Sequence, residues 1–121
     1  MERGYVCPVP PETRMWMLSP RRVVEAMIHA HELPVDRWGV NRVLNPPGIS
    51  VSMSDALDAV RRLGGEAAAS RVSFEPDPFI MRIVAGWPNV FETPRAVALG
   101  FQADESIDAI VQAFIEDECP A

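Results

Sequence analysis

Between Pro20 and Glu32 apolar side chains return at the three-and-four spacing of a helix. Val23, Val24, Met27, Ile28 and His31 form one stripe, and Arg22, Glu25 and His29 fall opposite it. Ser19 is a suitable N-cap and Pro20 a suitable first helical residue, so this helix is predicted with the stripe as its buried face. The apolar stretch 14–18 ahead of it reads as a strand feeding the helix. A short strand is predicted over 42–45, stopped by Pro46, Pro47 and Gly48, and residues 49–52 alternate apolar with polar. Ser52, with Asp55 three residues on, opens a second helix carrying Met53, Ala56, Leu57, Val60 and Leu63 on one face, and Gly64 and Gly65 end it. On its wet side Asp58 and Arg62 are spaced as an i,i+4 ion pair.

Further along, residues 71–75 alternate, with Val72 and Phe74 on one face of a half-buried strand. Asp77 and Pro78 cap a third helix carrying Phe79, Ile80, Ile83 and Val84, which Gly86, Trp87 and Pro88 stop. A short helix is predicted over 93–99 before Gly100, and a last one over 105–116, with Ile107, Ile110, Val111, Phe114 and Ile115 on a single stripe. The expected architecture is a small mixed α/β domain of four to five helices and three or four short strands. It fills residues 1–121 as a single domain.

Composition narrows the function more than it names it. With 121 residues, 48% of them apolar, the chain buries only about two-thirds of its unfolded surface, so a missing packing partner would weigh on its stability. A net charge of −6 argues against nucleic acid, whose phosphates demand clustered cations. No apolar run approaches the roughly 18 residues of a membrane helix, and the opening "MERGYVCPVPPETR" lacks a signal-peptide core; a cytoplasmic location is expected. Cys7 and Cys119 show no C-x-x-C spacing, which favours two reduced thiols over a zinc or redox site. All eleven basic residues are arginine, so Schiff-base and lysine-assisted chemistry are excluded from this chain.

Arginine is then the informative residue type, because its rigid fork suits a carboxylate or phosphate. Arg14 at the start of the first strand, Arg82 on the third helix and Arg95 after "GWPNVF" are the candidates; spacing alone leaves each between a surface salt bridge and an anion ligand. Trp16 and Trp87 could wall a pocket or serve packing. His29 and His31, two apart on a helix, face different ways and have no third ligand; His31 is expected in the core or an interface and His29 in water. The acidic tail "EDECPA" reads as a helix end dissolving into charge.

The order of three segments carries a resemblance. "ETRMWMLSPRRVVEAMIHA", "RVLNPPGISVSMSDALDAVRRLGG" and "PRAVALGFQADESIDAIVQAF" are similar, in that order, to the C-terminal, substrate-side portion of extended short-chain dehydrogenases/reductases, the NAD-dependent epimerase/dehydratase family. The wording "W-x-x-S-P-R", "RVLNPPGISVS" and "IVAGWP" resembles the sugar-acid dehydrogenase branch. Departures point the same way. Ser19, Pro20 and Arg21 replace the acidic pair of the sugar-nucleotide enzymes, and no Arg-x-Gly-Asp follows "FEPDP", so a smaller acid is favoured over a sugar diphosphate. The resemblance implies that Arg14 faces the substrate, with Trp16 and Ser19 flanking it; Arg82 stands beside them as a substrate-binding candidate on the strength of its fork alone. The resemblance also implies NAD for the full-length family.

Within this chain no cofactor or catalytic residue is expected. One tyrosine, no lysine and no glycine-rich G-x-x-G-x-x-G leave it without the family's proton-transfer pair or pyrophosphate turn, so it is expected to be inactive alone. A small sugar-acid substrate, self-association or a missing nucleotide-binding half, and neither nucleic acid nor membrane, are the expected partners. The alternative is a free-standing small binding or protein-interaction module that reuses this half-fold.

Overall fold

A computed structural model describes residues 4–119. Four short strands and seven helices follow in the order β1 (Tyr5–Cys7), β2 (Arg14–Met17), α1 (Pro20–Glu32), α2 (Val35–Trp38), β3 (Ile49–Ser52), α3 (Met53–Gly64), α4 (Glu66–Ala69), β4 (Val72–Phe74), α5 (Pro78–Val84), α6 (Pro94–Ala98) and α7 (Ile107–Glu118). The mixed α/β class is as expected. The helix count exceeds expectation because α2 and α4 are single turns, too short to show an amphipathic period.

The strands form two separate ribbons. β1 runs parallel to β4, with Val6 opposite Ser73, and β2 runs antiparallel to β3, with Arg14 opposite Ser52 and Trp16 opposite Ser50. Helix α3 is the hub, packing on α4 and α7, and Ala59, Ala69 and Ala113 are the small buried residues of these helices. A second cluster, Ala96, Leu99 and Phe101, packs against Ala26, Ala30, Leu33, Trp38 and Leu44.

Capping explains where the helices begin. The Ser19 hydroxyl accepts from the Arg22 N–H, Ser52 from Asp55, Asp77 from Phe79 and Ser106 from Ala109. Ser19 is also tied across the fold: its N–H and hydroxyl donate to the two oxygens of Asp104 at 2.8 and 2.7 Å, and both residues are buried. This bidentate clamp fixes the turn from β2 into α1 against the segment ahead of α7.

Three expectations are corrected. Residues 42–45 form no strand; the carbonyls of Asn41 and Val43 accept from Arg95 instead, so a side chain holds this segment where a strand neighbour was expected. The face of α1 is reversed: Ala26, Ala30 and His29 turn inward, while Val24, Met27 and Ile28 are 56%, 69% and 54% exposed. The small alanines allow Phe101 to approach closely. His29 is therefore the half-buried histidine, donating from Nε2 to the Leu99 carbonyl at 2.7 Å with its ring edge-on to Phe101, and His31 is exposed. Finally, Asp58 pairs with Arg61 at i,i+3, and Arg62 reaches across to Asp108 on α7. Among the described residues no helix is long and apolar enough to cross a membrane.

Candidate functional site

Arg14 stands at the edge of the β2–β3 ribbon, where two clefts meet. One, of about 460 Å³, is bounded by Glu12, Thr13, Arg14, Met81, Trp87 and Asn89 and is the more polar. The other, of about 260 Å³, lies between Arg14, Trp16, Val84, Trp87, Pro88 and Phe91 and is mostly apolar. Arg14, Val84 and Trp87 are common to both, so Arg14 lines a polar cleft and an aromatic one.

The walls follow from local structure. Trp16 shares a face of β2 with Arg14, Met15 pointing to the other, and packs on Phe91 at a centroid distance of 5.6 Å. Gly48 permits this, because a Cβ there would come within 2.8 Å of Trp16 Nε1 and 2.7 Å of the Met17 carbonyl. Trp87 arrives from the turn after α5, where its N–H donates to the Val84 carbonyl. Arg14 itself donates from Nη2 to the Ser50 carbonyl at 2.8 Å and from Nε to the Ser50 hydroxyl at 3.3 Å. Among the described residues it has no ion-pair partner, so its charge is uncommitted.

The other expected site residues fare differently. Trp16 is brought to the cleft. Ser19 is fully enclosed, donating to Asp104 and accepting from Arg22, and does not line the cleft. Arg82 lies on the exposed side of α5, outside both clefts. Arg95 donates to the carbonyls of Trp38, Asn41 and Val43 and stacks over Trp38, so its fork organises a loop. Glu12, Thr13, Asn89, Phe91 and Ser50 were not singled out from sequence. Ser50 is the same-face diagonal neighbour of Arg14 in the ribbon, and the pairing register is the signal that finds it.

The residues present do not fit a dinucleotide. A pyrophosphate is held where a glycine-rich turn leads from a strand into a helix with free N–H groups. Here the junctions Leu18–Ser19, Ser52–Met53 and Glu75–Asp77 contain no glycine, and the side chains of Ser19, Ser52 and Asp77 already cap the helices that follow. Among the described residues there is no group of His, Cys, Asp and Glu suited to a metal ion.

No protein-family model matches the chain. It is 45% identical over 111 residues to D-erythronate dehydrogenase of Cupriavidus necator, covering 92% of this chain and 34% of that protein. It is 40% identical to D-erythronate dehydrogenase of Haemophilus influenzae, over 92% of this chain and 35% of that one. The chain thus spans about a third of the length of the curated relatives it matches. The fold superposes with a TM-score of 0.90 and 39% identity on a nucleoside-diphosphate-sugar epimerase from Agrobacterium tumefaciens, over 97% of this chain and 34% of that one. A GalE-like L-threonine dehydrogenase from Cupriavidus necator, at 22% identity and a TM-score of 0.78, shares the fold. The chain therefore resembles a portion of an extended short-chain dehydrogenase/reductase of the epimerase/dehydratase type. Within that class its sequence is similar to D-erythronate dehydrogenase, in a pattern consistent with a C-terminal portion.

Proposed function

We propose that this chain is the substrate-side portion of an NAD-dependent dehydrogenase of small sugar acids, with Arg14 holding the substrate carboxylate between Trp16 and Trp87. The observation that carries the reading is an uncommitted guanidinium at the junction of a polar and an aromatic cleft, in a sequence 40–45% identical to D-erythronate dehydrogenases. A fixed arginine binds a carboxylate with charge-assisted hydrogen bonds, Thr13 and Asn89 offer groups for substrate hydroxyls, and the indoles accept its C–H faces. Residues 1–121 act as one substrate-side domain, and Ser19 contributes by anchoring the end of β2. Arg82, exposed and outside the lining of both clefts, is given no part.

The nicotinamide cofactor and the proton-transferring tyrosine and lysine must come from outside this segment, so the chain alone is inactive. The nucleotide-binding portion, or a second copy, covers the exposed stripe of α1. Calorimetry tests this: NAD added to the chain gives only heats of dilution, and micromolar NAD binding would overturn the reading. Joined to the complementary two thirds of a D-erythronate dehydrogenase, the chain supports D-erythronate oxidation. There Arg14→Gln lowers kcat/KM on the order of a hundredfold, the loss of a bidentate charge-assisted contact.

A further inference from the structure

A guanidinium has two forks. The side fork is made by Nε–H and the Nη2–H parallel to it, and the end fork by the other Nη2–H and the Nη1–H parallel to that, the fifth N–H pointing back along the stem. In this structure Ser50 takes the side fork whole: its hydroxyl accepts from Nε and its carbonyl from Nη2. The hydroxyl and carbonyl of one residue thus imitate the two oxygens of a carboxylate. The end fork of Arg14 remains for a ligand, and the guanidinium is held by a residue that the β2–β3 register places diagonally beside it.

We infer that Ser50 is a positioning and specificity-determining residue: by filling the side fork of Arg14 it makes the guanidinium receive an anion end-on, and so selects a planar monocarboxylate over a phosphate. The inference rests on the proposed role of Arg14 in substrate binding. Two features of the cleft give it its direction. The end fork matches the two oxygens of a carboxylate in full, whereas a phosphate received by the same fork keeps further oxygens that call for donors beyond it. The side fork, which could bring two of those donors, is closed. The charge balance agrees: among the described residues lining this cleft Arg14 is the one cation and Glu12 the one carboxylate, so a second negative charge on the ligand adds to the repulsion from Glu12 with no further cation to offset it.

The test uses the 121-residue chain with three probes: D-erythronate, inorganic phosphate and NMR of the arginine Nε–H. The unaltered chain is expected to bind D-erythronate at least tenfold more tightly than phosphate, with the Arg14 Nε–H signal unmoved by ligand because Ser50 already holds it. Ser50→Ala keeps the carbonyl but removes the Nε acceptor. It should weaken D-erythronate binding roughly tenfold, the usual size for one hydrogen bond to a charged group, and narrow the preference over phosphate. Ser50→Thr, which restores a hydroxyl, should restore both. Circular dichroism confirms that each variant is folded, and Arg14→Gln should abolish binding of either anion. If Arg14→Gln binds D-erythronate as the unaltered chain does, or the unaltered chain binds none, the cleft reading fails and this inference with it. If Arg14→Gln abolishes binding while Ser50→Ala leaves affinity and preference unchanged, the cleft reading stands and the role of Ser50 is overturned.

Discussion

Arg14 and Arg95 carry the same fork to different ends because of what surrounds it. Arg95 meets three carbonyls of the 38–43 segment and an indole face, and its hydrogen-bonding capacity goes into one loop. Among the described residues Arg14 hydrogen-bonds to Ser50 alone, and it lines two clefts. The sequence could nominate both but not separate them, since the difference lies in partners 36 and 52–57 residues away. Ser19 follows the same rule: its N-cap role is local and readable, whereas Asp104 lies 85 residues on. That clamp makes a firm prediction. Ser19→Ala removes the α1 cap and leaves one oxygen of a buried carboxylate short of its donor. Urea unfolding should show a loss of about 2–3 kcal/mol, the sum of a lost cap and a lost charged hydrogen bond. A loss below about 0.5 kcal/mol, the scale of an exposed substitution, would mean that water replaces the hydroxyl and that the clamp contributes little.

Among the elements, those with local start signals were legible. Ser19–Pro20, Ser52 with Asp55, and Asp77–Pro78 place the first residues of α1, α3 and α5, because the capping chemistry is complete within four residues. The inward face of α1 was not legible, since periodicity defines an apolar stripe without saying which side the rest of this chain occupies. One element-to-element contact has a measurable pH signature. Arg21 near the start of α1 pairs with Glu116 and Asp117 near the end of α7 at 2.8 and 2.9 Å. Hydrogen bonds from Arg21 hold both carboxyls below their ordinary values of 4.5 and 3.8, and push the guanidinium further up. A carboxyl depressed in the folded state adds stability above its ordinary value and loses it as pH falls through the folded value. Arg21→Ala should therefore lower the urea midpoint near neutral pH and leave it unchanged once both carboxyls are protonated. The gap should shrink in high salt, because all three groups are exposed. Equal destabilisation at both ends of the pH range would show that Arg21 acts through packing of its stem instead.

At the scale of the molecule, the reversed α1 becomes the main consequence. The helix contains no buried residue, and Val23, Val24, Met27 and Ile28 all stand more than 40% exposed on it. A contiguous apolar stripe of this kind marks a contact surface in most soluble proteins, at about 25 cal/mol for each Å² it withdraws from water. The relatives are about three times as long as this chain, so a protein of their length has the material to cover such a face. A solution of the chain by itself does not, and the stripe then has only another copy to meet. Sedimentation velocity at micromolar concentration should accordingly show concentration-dependent association, with α1 against α1 as the simplest symmetric arrangement. Met15 and Met17 are half-buried in β2 and take a smaller part than Val24 and Ile28. The double variant Val24→Glu with Ile28→Glu places charge on positions that are more than half exposed. It should stay folded by circular dichroism, lose no more than about 0.5 kcal/mol of stability, and sediment as a monomer. A chain that is already monomeric at these concentrations, with the double variant no more soluble, would show that the stripe is tolerated in water. The proposed partner for α1 would then lose its physical basis, and the free-standing binding module would become the better reading.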